Sequence, residues 1–88
     1  MLQMLTIKDS KASIYKEPLF LKREIEIIDI LNYSFQQEEY KDINAIEYDI
    51  FKLGTYNESN GKFDLLDAPE HLYNVGDIIK QGEENATN

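Results

Sequence analysis

Two repeat lengths divide the apolar residues of this chain. In residues 2–8, Leu5 and Ile7 alternate with Met4 and Thr6, a two-residue period that predicts a strand apolar on both faces. Residues 9–13 are polar and short-chained and predict a turn. Beyond them, Ile14-Tyr15 and Leu19-Phe20-Leu21 flank Glu17-Pro18, and because Pro18 pushes Glu17 toward extended backbone, this stretch is expected to be extended or looped. From residue 22 to about residue 37 the period changes. Ile25, Ile27, Ile28, Ile30, Leu31 and Phe35 recur with helical spacing over about 220° of a helix, leaving Lys22, Glu26, Asp29 and Tyr33 on the narrower polar side. Four of these residues are isoleucines, which favour strands, so tertiary packing has to hold this helix.

Residues 36–44 are polar and predict a surface loop. Residues 48–56 are rich in aromatic and β-branched side chains, and the polar stretch 57–61 separates them from a second such run at 62–65, so a β-hairpin is expected from about Tyr48 to Leu66. Asn60-Gly61 supplies residues suited to positive φ at its turn, and Gly54 inside the strand marks a bulge or a close approach by another backbone. Pro69 at the start of residues 68–73 predicts a short helical turn, after which Leu72, Val75, Ile78 and Ile79 return to the core as a strand or a turn of helix. The expected fold class is α+β: a small antiparallel sheet, made of the N-terminal strand and the C-terminal hairpin, packed on one main helix. Residues 1–80 form one domain and residues 81–88 a disordered tail.

Composition adds a size limit. A chain of 88 residues buries a modest core, and its 42% hydrophobic content, with six Tyr and four Phe, is enough to fold. Such a core leans readily on a second copy, so a homodimer is expected. The wide apolar arc of the helix makes Ile25, Ile28, Leu31 and Phe35 the candidate interaction face. There is no cysteine, which fits a reducing cytoplasm, and no apolar run approaches the ~18 residues of a membrane span. Either Met1 or Met4 could be the natural start.

Charge then narrows the partners. The net charge of -8 disfavours a protein that coats nucleic acid by neutralising phosphates. The distribution is uneven, however. Residues 1–23 hold Lys8, Lys11, Lys16, Lys22 and Arg23 against only Asp9 and Glu17, which makes those five cations the candidate nucleic-acid contacts. Catalytic constellations are not evident. His71 is the only histidine, there is no thiol for it to activate, and the loop at 57–61 fails the calcium pattern at its first position, Tyr56. The expectation is a protein without catalytic residues, metal or cofactor.

The strings IKDSKASIYKEPLF and YDIFKLGTYNESNGKFDLLDAPEHL, separated by a helix, carry a resemblance. In Asp9, Lys11, Ala12, Pro18, Phe20, Leu53, Gly54, Tyr56, Gly61 and Phe63 the chain resembles the small non-structural protein of gokushoviruses, microviruses with circular single-stranded DNA that infect bacteria. The resemblance covers about residues 5–80. It implies a phage protein of the host bacterial cytoplasm, absent from the virion, acting in viral DNA replication or in the switch to single-stranded genome synthesis and packaging. The acidity of this chain departs from simple charge-driven DNA binding, so the first expectation is an adaptor for a viral or host replication or packaging protein. The alternative is a weak single-stranded DNA-binding protein that uses the basic N-terminal strip.

Overall fold

A computed structural model describes residues 1–37 and 43–79. Five strands form one antiparallel sheet: β1 (Leu2–Asp9), β2 (Ile14–Tyr15), β3 (Leu19–Leu21), β4 (Tyr48–Asn57) and β5 (Lys62–Asn74). Helix α1 (Glu26–Phe35) follows β3, a 3-10 turn (Ala45–Glu47) precedes β4, and residues 75–79 are helical. The strand order is β2-β1-β4-β5, with β3 also on β1. β2 and β3 share the edge of β1 that β4 leaves free: Tyr15 pairs with Lys8, and Leu19–Leu21 pair with Leu5, Met4 and Gln3. Pro18, which has no N–H to give to a ladder, falls in the gap between them.

The structure corrects the expected architecture. Strands make up 49% of the described residues and helices 24%, and the sheet curls into a half-barrel with a short helix; it is not a small sheet packed on one main helix. Two local misreadings account for the difference. The helix begins at Glu26, four residues later than the apolar spacing implied, because Ile25 offers no capping side chain and the entry uses tighter bonds, Glu26 to Arg23, Ile27 to Glu24 and Ile28 to Ile25. Residues 68–73 continue β5, where Pro69 is harmless because an edge strand has spare donors. The hairpin itself is present and runs on to Asn74.

The core is shared among short pieces. Ile27 and Leu31 of α1 and Val75 and Ile78 of the second helical segment close over Leu5 of β1 and Ile50 of β4, all six nearly inaccessible to water. A half-buried ion pair, Lys52 Nζ to Glu24 Oε1 at 2.8 Å, ties the entry of α1 to β4. Residues 36–37 form a turn, whereas most of the expected loop, residues 38–42, and the expected tail, residues 81–88, lie outside the described residues. Among the described residues no helix is long and apolar enough to cross a membrane.

Gly54 is where the sheet changes register on both sides. Met4 pairs with Gly54 and Leu5 with Lys52, so Leu53 is extra toward β1; across the hairpin, Gly54 meets Leu65 while Lys52 meets Glu70. Its φ is +157°, and a Cβ there would collide with the Asp64 carbonyl oxygen and lie 2.9 Å from the Leu65 Cα. Gly61, at φ +71° in the hairpin turn, has open space around it. Gly54→Ala is therefore expected to lower unfolding free energy by about 2 kcal/mol or more, and Gly61→Ala by about 1 kcal/mol, because only the first adds a backbone collision to an unfavourable φ. Urea denaturation of both variants against the wild type checks the order.

Candidate functional site

The alternation along β1 sorts the sheet into two faces. Leu5 and Ile7 belong to the helix-covered core. Met4 and Thr6 point the other way, and they too are buried, at 5% and 1% exposure, although no helix covers them. Aromatic rings from the neighbouring strands do so. Phe20 is the register partner of Met4, Tyr56 that of Leu2 and Phe51 that of Thr6.

Those rings form two clusters. At one end Phe20, Tyr56 and Phe63 surround one another, with centroids 5.9 Å apart for Phe20–Tyr56, 5.0 Å for Tyr56–Phe63 and 6.4 Å for Phe20–Phe63. With Leu2 and Gly61 they line an open groove of about 410 Å³. At the other end Tyr15 meets Phe51 edge-on at 5.6 Å, Phe51 meets His71 at 5.3 Å, and Lys8 Nζ sits 5.1 Å from the Tyr15 ring and 5.8 Å from the Phe51 ring. Tyr15, Phe20 and Phe63 keep 44%, 44% and 57% of their surface in solvent, so this face is a wet aromatic platform with one cation poised on it.

A polar clasp closes the same end of the sheet. Asp49, at the start of β4, accepts from Ser10 Oγ at 2.6 Å and from Asn74 Nδ2 at 3.1 Å, and its other contact is His71 Nε2 at 3.0 Å. Asn74 also donates to the Ile46 and Tyr48 carbonyls and accepts from the Gly76 N–H, so it caps the second helical segment while holding the 3-10 turn. Desolvation pushes the Asp49 carboxyl up, but the bonds from Ser10, His71 and Asn74 and the His71 charge together outweigh it and hold the group below its usual value. Serine, aspartate and histidine in contact invite comparison with a hydrolytic triad. Here the carboxylate lies between the other two, no base reaches the Ser10 hydroxyl through the imidazole, and a carboxylate held below its usual pKa is a poor base. The cluster is a fastening. Among the described residues no group of three or more His, Cys, Asp or Glu could hold a metal ion.

The residues singled out from sequence fall in several places. Lys8 lies on the aromatic face, whereas Lys11 is in the turn after β1, Lys16 follows β2, and Lys22 and Arg23 follow β3. Arg23 pairs with Glu26 at 3.5 Å. Of the helix face, Leu31 is in the core, Ile28 and Phe35 pack against it, and Ile25 is 51% exposed. The motif residues have physical roles. Asp9 Oδ1 accepts from the Lys11 and Ala12 N–H groups, which sets the turn that ends at Ser13 with φ 57°. Phe20, Tyr56 and Phe63 build the first aromatic cluster, and Gly54 and Gly61 shape the strand and turn that carry two of them. Sequence reading missed Ser10, Asp49 and Asn74. Asn74 alone left a signal, an Asx cap directly before Val75 and Ile78.

The described residues form a curled, mostly β domain with helices on one face and an open aromatic platform on the other. The chain matches the family model of the phage ORF5 proteins over residues 2–78 and belongs to that family. No curated protein and no solved structure matches it.

The Asp49 clasp has a pH signature. Because the folded carboxyl titrates below its unfolded value of 3.8, its stabilisation is present above that pH and is lost as pH falls through the folded value. Asp49→Asn is expected to be less stable than wild type at neutral pH, with the gap narrowing toward about pH 3. Urea titrations at both pH values measure that gap.

Proposed function

We propose that this phage accessory protein acts on the single-stranded DNA of its phage, during replication or the switch to single-stranded genome synthesis and packaging, by stacking bases on its aromatic face. The observation that carries the reading is the pair of ring clusters on one sheet face, Phe20–Tyr56–Phe63 and Tyr15–Phe51–His71, with Lys8 Nζ over the Tyr15 and Phe51 rings of the second. Each stacked base contributes about 1–3 kcal/mol whatever its sequence, so stacking sustains affinity where net charge of -8 opposes it. The resemblance to gokushovirus non-structural proteins, whose genomes are circular single strands, supports the same substrate and the host bacterial cytoplasm as its place. Lys11, Lys16, Lys22 and Arg23 at the sheet margin would add phosphate contacts, giving a shallow salt dependence.

The adaptor reading retains one specific observation. Helix α1 shows Ile25, Ile30 and Tyr33 to solvent at 51%, 38% and 70% exposure, a strip that suits a replication or packaging protein.

Titration of a fluorescent oligonucleotide tests the first reading. Phe20→Ala and Phe63→Ala are each expected to weaken binding about tenfold, while Ile25→Ser and Tyr33→Ser leave it unchanged. Binding by wild type that ignores the aromatic substitutions, or no binding at low salt, overturns it. Loss of co-purification with a phage replication protein in the Ile25→Ser and Tyr33→Ser variants would favour the adaptor instead.

A further inference from the structure

Among the described residues the sheet ends in two edges to which no further strand is paired, and they carry opposite charge. One is the margin formed by β2, β3 and their flanks, where Lys11, Lys16 and Lys22 stand against Asp9 and Glu17, and Arg23 is paired with Glu26. The other is β5, whose residues 62–71 are all exposed and carry Asp64, Asp67 and Glu70 against Lys62. Within the described residues none of Lys11, Lys16, Lys22, Asp64, Asp67 or Glu70 makes a salt bridge. Each edge also bears apolar side chains in water: Ile14 at 59% on one, Leu65 and Leu66 at 63% and 41% on the other.

We infer that the occupant of each edge is a second copy of this chain, joined edge to opposite edge, with the acidic β5 of one protomer against the basic β2–β3 margin of its neighbour. Charge complementarity selects this pairing over like-with-like: β5 against β5 sets six carboxylates along one seam, whereas the crossed pairing gives every one of them a cation to face. Sheet edges are also where strand addition happens, because one row of backbone groups is unpaired. Pro18 and Pro69 each remove a donor, which keeps the ladder short and leaves the register to the charges. The union is heterologous, so it closes only as a ring or as two copies sharing two seams, and otherwise runs on. It sets the aromatic faces of neighbouring copies side by side. It does not depend on those faces binding DNA.

The test uses the full chain and two sets of exposed substitutions, Lys11→Glu/Lys16→Glu/Lys22→Glu and Asp64→Lys/Asp67→Lys/Glu70→Lys, with circular dichroism to confirm folding. Sedimentation velocity is expected to show species heavier than the 10.3 kDa chain, with association weakening at least about tenfold between about 50 mM and about 500 mM salt. Either folded variant alone, its two edges now of one sign, should sediment as a monomer, and mixing the two should restore assembly. A wild type that stays monomeric at low salt overturns the inference. So does assembly that ignores salt and both reversals, or a mixture that does not reassemble. Sedimentation of the Phe20→Ala and Phe63→Ala variants, which are expected to assemble as the wild type does whatever their DNA binding, separates this outcome from the fate of the DNA reading.

Discussion

Three consecutive residues of β1, Met4, Leu5 and Thr6, are buried, and a strand can bury neighbours in sequence only if both faces of its sheet are covered. A chain this short has helix enough for one face. The second cover must come from the sheet itself, from side chains long enough to lean across neighbouring strands. Phe20, Tyr56 and Phe51 meet that need, and their outer surfaces are left in water as a result. The aromatic platform is thus a by-product of burying the first strand, with its inner surfaces against Met4 and Thr6. The same economy explains the hydroxyl of Thr6, which is satisfied by the Lys16 carbonyl at 2.6 Å and so fixes the backbone at the break before Pro18.

Much of this was legible in the pattern of the chain. The two-faced β1, the turn at residues 10–13, the hairpin and the close approach at Gly54 follow from local period and local chemistry, which is where single-sequence reasoning is strongest. The errors have a common cause. Helical spacing over residues 22–37 and a proline before residues 70–73 are local cues, but a helix without a capping side chain starts late, and an outer strand accepts proline at no cost. The balance of strand over helix depended on β5 running 13 residues against the 10 of β4, with residues 66–69 extra between the pairs Gly54–Leu65 and Lys52–Glu70, which its own composition does not show.

The candidate site was legible only in part. Cations were visible as a charge cluster in the first 23 residues, yet folding distributes them, one onto the ring platform and four along a margin. The rings were visible as residues but not as a constellation, because Phe20 and Tyr56 meet across β1 and no spacing rule connects positions so far apart. The fastening around Asp49 was hidden for the same reason, joining Ser10, His71 and Asn74 from three separate segments. Among the residues quoted for the gokushovirus resemblance are a turn former, Asp9, a close-approach glycine, Gly54, and the platform rings Phe20, Tyr56 and Phe63.

The placement of β1 has a consequence for the order of assembly. β4 and β5 are neighbours in sequence and close through a turn of four residues, an inexpensive loop. β1 pairs instead with a strand far down the chain, Leu2 with Tyr56 and Asp9 with Tyr48, and among the described strands it is the one whose ladders connect β2 and β3 to the hairpin. On a ribosome, the strand that buries Met4, Leu5 and Thr6 emerges well before β4, its main partner. That strand stays unpaired in the interval, and Lys8 within it and Lys11 and Lys16 just after it oppose misassociation by their like charge.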